Sequence, residues 1–248
     1  MVNYNSPYAD VYGRFGWPGG SVGGNRALPA VQERGRHAVE RLLGAAESIL
    51  ESRGIEAATV PAIAARAGMS VGNVYKRFPD KDSLLRAVYE RFFAESLAAN
   101  EFALDPAKWK DIPTTEVLST LITGMIEGYR GRRTLIRALL LYAQTHGEAE
   151  FRAHAEEMRL ETLGLFERLL RDRRADIGHP HPERAIRFVV TLLAHALENT
   201  VMSDGGGIAG ADFLSQVPET SVELFRVANG YLRVRSTERP RALSQSRR

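Results

Sequence analysis

Cysteine is absent from the 248 residues, and with it go disulfides, zinc–thiolate sites, iron–sulfur clusters and thiol catalysis. Net charge is also scarce. The formal balance is only +3, so bulk electrostatics alone does not argue for a polyanionic partner. No stretch approaches the roughly 20 apolar residues that span a bilayer, and Met1 to Trp17 carry neither the basic patch nor the apolar run of a signal peptide. A soluble cytoplasmic protein with no membrane partner is expected. Also missing are a P-loop, a dinucleotide fingerprint, a Gly-x-Ser-x-Gly elbow and a His-Glu-x-x-His pair, and no nucleophile lies in an obvious constellation with a base. The chain does not read as an enzyme, and no cofactor is expected.

What is present is ordinary globular material, 44% apolar and 25% charged, in a strongly helical pattern. Residues 1–30 hold Gly13, Gly16, Gly19, Gly20, Gly23 and Gly24 among Pro7, Pro18 and Pro29, and read as a flexible arm. Apolar residues then recur at three- and four-residue spacing. Helices are predicted near 34–53, 60–67, 71–78, 81–101, 114–129, 132–146, 148–175, 182–202 and 212–235, and no segment alternates like a strand. The fold class is all-α. Leu104 to Pro113 reads as a break between helices, and Gly205, Gly206, Gly207 and Gly210 as a connection between the last two long ones. The segment from Arg233 to Arg248 carries six arginines against Glu238, and 236–248 is expected to be a basic disordered tail.

The informative segment runs from Thr59 to Leu85. Thr59 is placed to cap a short helix with Pro61 in its first turn, Gly68 to close that helix with a positive φ, and Ser70 to cap the next one. The second helix stops at Phe78 because Pro79 follows. Val74 and Phe78, four apart, face inward, which leaves Val71, Gly72, Asn73, Tyr75, Lys76 and Arg77 on the outer faces. Eight residues make a rod of about 12 Å, matched to a DNA major groove about 12 Å wide. Gly72 has no side chain to hold the backbone away from DNA. Asn73 can bond a base edge or a phosphate, Val71 can touch a thymine methyl, and Tyr75, Lys76 and Lys81 can donate to phosphates. Between Arg66 and Arg86 five cations face only Asp80 and Asp82, a local positive site that the overall charge conceals.

This run resembles the DNA-binding region of the tetracycline-repressor (TetR) family of bacterial transcriptional regulators. The matching residues are Thr59, Ile63-Ala64, Ala67-Gly68-Met69-Ser70, Gly72, Tyr75, Phe78, Lys81 and Leu84-Leu85, and the resemblance covers residues 34 to 92. Asn73 stands where Thr or Ser is frequent, Pro61 where many relatives carry a polar residue, and Met69 where Val is usual. The resemblance implies a three-helix helix-turn-helix domain at 31–80 and a ligand-sensing and dimerising helical domain at 81–235. It implies a DNA-contacting set of Thr59, Ser70, Val71, Gly72, Asn73, Tyr75, Lys76 and Lys81, with Tyr75 and Lys81 on phosphates. Double-stranded operator DNA, a second copy of the chain and an unidentified small-molecule inducer are the partners implied. Repression is the family's usual mode; a helical enzyme and a dimeric scaffold without DNA binding are the alternatives.

The helices near 182–202 and 212–235 each carry an apolar stripe too wide for one buried face, which suits a four-helix contact between two copies on a palindromic site. Large or polarisable residues on the sensor helices are the candidates for ligand contact: Phe92, Phe93, Trp109, Met125, Tyr129, Tyr142, Met158, Phe166 and His195. Core packing is the competing reading for each of them. His179 and His181 lack further ligands nearby, and the glutamates near His146 and His154 read as a solvated face, so no metal is expected. Arg26, Arg34 and Arg36 precede or open the first helix, within reach of DNA if the fold is right.

Overall fold

The computed structural model describes residues 30–145, 148–203 and 214–235. The expected arm before residue 30, the glycine-rich connection and the tail after Arg235 lie outside the described residues. Every regular element among the described residues is helical, and a single bridge pairs Ile177 with Val234.

Helix α1 (Ala30–Arg53) ends where Gly54 takes φ +76 and its N–H donates to the Leu50 carbonyl at 3.0 Å. Helix α2 (Val60–Arg66) starts at Thr59, whose Oγ1 accepts from the Ala62 N–H at 3.3 Å. Gly68, at φ +64, turns the chain so that Met69 N–H reaches the Ala64 carbonyl at 2.9 Å. Ser70 Oγ then caps α3 (Val71–Tyr75) by accepting from Asn73 N–H at 3.3 Å. This helix is shorter than the sequence suggests. The residue before a proline is driven out of helical geometry, so the chain from Lys76 tightens, with Arg77 and Phe78 N–H groups both donating to Val74 at 2.9 Å. Helix α4 (Lys81–Ala103) opens on a capping box in which Ser83 N–H donates to Asp80 Oδ1 at 2.7 Å and Asp80 N–H to Ser83 Oγ at 3.4 Å.

The expected break at 104–113 contains one turn of helix, α5 (Pro106–Trp109), capped by Asp105. Trp109 anchors it, buried, with Nε1–H donating to the Ala103 carbonyl at 2.8 Å. Next come α6 (Thr114–Gly131), α7 (Arg133–Thr145) and α8 (Ala149–Arg171), the last ending four residues before the predicted stop and passing into a 3-10 turn at Arg174–Asp176. Helices α9 (Pro182–Met202) and α10 (Val217–Leu232) complete the fold. Among the described residues one helix, α9, is long and apolar enough to cross a membrane by length and composition alone. Half of that window is buried against other helices, and Arg187 and Glu198 interrupt it.

Two apolar cores organise these helices. The first joins Leu42, Ile49 and Ile63 of the N-terminal helices to Val88 of α4, Leu139 of α7 and Phe151 of α8. The second gathers Leu118 and Ile122 of α6, Leu169 of α8, Val189 and Leu197 of α9 and Leu232 of α10. Ile136 packs against both. Each fully buried aliphatic side chain contributes about 1.5–3 kcal/mol, so the short α2 and α3, which cannot persist as isolated helices, are held by Ile63, Ala64, Val74 and Phe78 in the first core.

Candidate nucleic-acid interface

Helix α3 buries one residue, Val74, and presents the rest outward. Thr59, Ser70, Val71, Gly72, Asn73, Tyr75 and Lys76 are all exposed, Tyr75 at 51%, whereas Lys81 is half-buried at the start of α4. The eight residues named as DNA contacts therefore occupy the two helix starts at Thr59 and Ser70, the outer face of α3 and the start of α4. At this surface Asp80 accepts from Ser83 N–H, which holds its carboxyl below the usual carboxylate range and keeps it tied into the helix cap.

Two arginines of the local positive site, Arg77 and Arg66, have partners in the fold. Arg77 Nη1 donates to the Asn73 carbonyl at 2.9 Å, folding its guanidinium back along α3. Arg66 donates to Ser48 Oγ, tying α2 to α1.

Gly72 is the decisive position. Its φ is not in the left-handed region, and a Cβ built there would meet only Ser70 Oγ, at an ordinary 4.0 Å. Nothing inside the fold requires glycine, and glycine within a helix costs about 0.5–1 kcal/mol relative to alanine.

Residues 42–88 match the family model of bacterial regulatory proteins, tetR family. This segment is a tetR-family one. No curated protein matches the full sequence. Among solved structures it is similar to a bacterial regulatory protein in the tetR family from Rhodococcus RHA1, with TM-score 0.58 and 21% identity, covering 79% of this chain and 96% of that one. The transcriptional regulator FadR from Bacillus subtilis, solved in complex with stearoyl-CoA, has TM-score 0.57 and 16% identity, over 75% of this chain and 97% of its own. GusR of Salmonella enterica has TM-score 0.57 and 14% identity, over 84% and 100%. At such identities the likeness is one of fold. The tetR-family segment, with its helix-turn-helix, points to DNA-binding transcriptional regulation rather than to an enzyme.

In the helical body, the candidate ligand residues separate into three groups. Phe92, Trp109 and Tyr142 are buried; Trp109 has its carbonyl partner, and Tyr142 OH donates to the Asp82 carbonyl at 3.0 Å. Burial pushes the Tyr142 hydroxyl up to about 12. These side chains are occupied with packing. Met125, Tyr129, Met158 and Phe166 are half-buried at the edges of the two cores, as is Phe93, which stacks on Tyr89 at 4.5 Å. His195 is exposed, its Nδ1 2.9 Å from the Thr191 carbonyl of its own helix.

Among the described residues no group of three or more His, Asp or Glu side chains is arranged to hold a metal ion. His179 Nδ1 accepts from the His181 N–H at 3.0 Å, and His154 sits 3.6 Å from Glu157 on an exposed face.

The sequence reading missed Glu47. Its carboxylate is buried and paired with Arg91 of α4 and with Arg132 at the junction of α6 and α7. The signal is an acidic residue inside the apolar stripe of α1, beside Leu43 and Leu50.

Proposed function

We propose that the chain is a ligand-responsive repressor that binds a palindromic operator as a homodimer and leaves it when a small molecule occupies the helical body. The observation that carries the DNA-reading part is Gly72: a glycine in the outward helix with no structural need for it, beside Asn73 and flanked by Tyr75, Lys76 and Lys81. In this reading Gly72 admits the duplex closely, Asn73 bonds a base edge or phosphate, Val71 meets a thymine methyl, and Thr59, Ser70, Tyr75, Lys76 and Lys81 hold the phosphates. Residues 31–80 form the reading head and 81–235 the sensing and dimerising body, acting in the cytoplasm.

Support for the dimer comes from the outer faces of α9 and α10. Phe188 (52% exposed) and Leu192 lie four apart on α9, Val222, Val227 and Tyr231 on α10, and the Phe188 and Tyr231 rings meet at 5.2 Å. Exposed apolar faces of this kind mark association surfaces. Pairing them across a twofold axis presents two copies of α3 to successive major grooves, about 34 Å apart. His195 is exposed on α9, seven residues from Phe188, and its charge also acts on Glu198 and Glu156, so it stays among the ligand candidates at the border of this face. Met125, Tyr129, Met158 and Phe166 are the other ligand candidates at the edges of the cores. The complex of B. subtilis FadR with stearoyl-CoA supports the reading that a helical body of this fold can hold a small molecule.

An inducer acts only through its differential affinity for the two states. The direct test is a gel-shift titration with DNA from upstream of the protein's own gene, across a range of salt. A sequence-specific, salt-sensitive complex of two chains per site is expected. No shift in low salt overturns the regulator reading, and a specific complex of one chain overturns the dimer.

A further inference from the structure

Helix α3 has five residues, too few for a hydrogen-bond ladder of its own, so the partners found by each of its backbone groups decide how firmly it is held. Its start is closed by Ser70, whose Oγ and carbonyl both accept from the Asn73 N–H, at 3.3 and 2.9 Å. Its end is irregular. In a continuous α-helix the Arg77 N–H would donate to the Asn73 carbonyl, four residues back. Here the chain tightens ahead of Pro79. The Arg77 and Phe78 N–H groups both go to the Val74 carbonyl at 2.9 Å, and the Lys76 N–H goes to that of Gly72 at 3.2 Å. The Asn73 carbonyl is left out of the ladder.

Arg77 itself makes good the loss. Its Nη1 donates to that carbonyl at 2.9 Å, a bond strengthened by the charge on the guanidinium and of the kind by which cationic side chains close helix ends. Among the described residues Arg77 pairs with no carboxylate, whereas Arg86 and Arg91 of α4 are both taken by glutamates. The residues on either side of this bond, Val74 and Phe78, are buried in the first core, so the half-buried Arg77 rises from a fixed base. Asn73 is thus held at both its N–H and its C=O, while the residue itself stands exposed on the outer face.

We propose that Arg77 is a positioning residue for DNA reading: by supplying the donor that the backbone has lost, it fixes the Asn73 peptide and with it the direction in which the Asn73 amide meets the duplex. The inference rests on the reading of α3 as the DNA-reading helix, and it adds a residue that acts through another. Without this bond the Asn73–Val74 peptide is free to turn its carbonyl toward water. A side chain that reads a groove tolerates only about 0.5 Å of misplacement, so a loosened peptide is enough to weaken its contact.

The test is a double-mutant cycle. Arg77→Met keeps the aliphatic stem and removes the donor; Asn73→Ala removes the reading amide and keeps the carbonyl. The DNA is the duplex that the wild type selects from a synthetic pool with a randomised core, and affinities are read by gel shift at one salt concentration. Arg77→Met is expected to cost about tenfold in affinity when Asn73 is present, and no more than about twofold when residue 73 is already alanine. An equal cost in both backgrounds makes Arg77 an independent phosphate contact or a general support of the fold, and overturns the proposal; so does the absence of a cost in either. A loss of folded protein common to both backgrounds cancels in the cycle. Amide exchange in the full chain without DNA gives a second readout. The Lys76, Arg77 and Phe78 N–H groups should exchange at least about threefold faster in Arg77→Met, with the middle of α4 unchanged, and equal exchange at these three amides overturns the proposal by itself. A wild type that selects no sequence from the pool removes the DNA-reading assignment, and the role of Arg77 with it. A wild type that does select one, combined with an equal cost in the cycle, removes the role of Arg77 alone.

Discussion

Arg132, at the junction of α6 and α7, donates to the carboxylate of Glu47 on α1, 85 positions earlier in the chain. The other oxygen of the same carboxylate takes Arg91 of α4. Arg91 also reaches Glu40 at 3.5 Å and Glu95 at 3.7 Å, and Arg132 reaches Glu51 at 3.5 Å and lies over the Phe92 ring at 5.0 Å. Helix α1 is thus clamped to α4 and to the junction of α6 and α7 by a largely buried ionic network. A buried carboxylate shared by two cations is costly to remove because both guanidiniums lose their counter-charge. Glu47→Ala is expected to destabilise the protein by about 3–5 kcal/mol. For a chain of this size that lowers the thermal midpoint by roughly 6 °C or more, read by circular dichroism; a shift under about 2 °C would show the network to be energetically idle.

Gly72→Ala separates fold from recognition. Alanine fits the space at Gly72 and has the higher helix propensity, by about 1 kcal/mol. The variant is expected to melt at or above the wild-type temperature while losing at least about tenfold in operator affinity, a loss of about 1.4 kcal/mol. Unchanged affinity in a gel shift would mean that DNA does not approach this backbone.

Phosphate and base contacts are told apart by salt and by sequence. Lys76→Ala should weaken binding to all sequences alike and reduce the salt slope by about one ion. Asn73→Ala should alter base preference by about 1–3 kcal/mol at one position of each half-site if the side chain meets a base edge, and behave like Lys76→Ala if it meets a phosphate. Competition binding with single-base operator variants distinguishes these outcomes.

The outer stripe of α9 is tested by Phe188→Glu. A carboxylate in place of an exposed ring leaves the monomer's own core intact, since Phe188 lies outside it, but is incompatible with a buried apolar contact. On the proposed dimer, sedimentation should show the wild type as a dimer and the variant as a folded monomer. A dimeric variant would place the interface elsewhere.

Two carboxyl groups should give pH effects of opposite sign. Asp80 is held below its ordinary range by Ser83 N–H, so its contribution is present at neutral pH and disappears as the pH falls through that depressed value. Asp80→Ala should lower the melting temperature at neutral pH, with the deficit closing in acid. Glu198 is raised by burial, so the folded state favours its protonated form: that stabilisation is present in acid and lost as the pH rises through the raised value. Glu198→Gln should therefore melt higher than the wild type at neutral pH, the gain shrinking in acid as the wild type itself becomes neutral. Arg159, Glu156, His195 and Tyr129 face the same carboxylate and are common to both proteins. Melting curves from neutral pH into the carboxylate range check both signs.

The helix-turn-helix was legible because its instructions are local. Thr59, Gly68 and Ser70 act on backbone groups within three to five residues, and residue identity alone reveals them, whereas the Asp80–Ser83 cap that opens α4 was not read. Other features depend on partners far along the chain. Helix α5 has too few turns to show a period, and its prolines read as breaks although Trp109 pins it to Ala103. The end of α3 was overrun because Val74 and Phe78 keep helical spacing while Pro79 changes the backbone between them. Among the ligand candidates, size and polarisability did not separate Trp109 and Tyr142, which fill the cores, from Met125 and Phe166 at their edges. His195 shares a helix with buried Ala194 and Leu197, and only the packing of α9 on α8 and α10 shows which side is outward. Glu198 and Arg159 come from different helices 39 positions apart, and nothing in either segment announces the other.

Helix α4 is unbroken over 23 residues, about 35 Å of rigid rod. Its first half, through Leu84, Val88 and Phe92, belongs to one core, while Leu97 near its far end packs on the other. Such a rod is a lever. A tilt of about 5° at the distal end sweeps Lys81 through roughly 3 Å, the full length of a hydrogen bond, so in the proposed complex a rearrangement too small to alter any helix would be large enough to break a grip on the duplex.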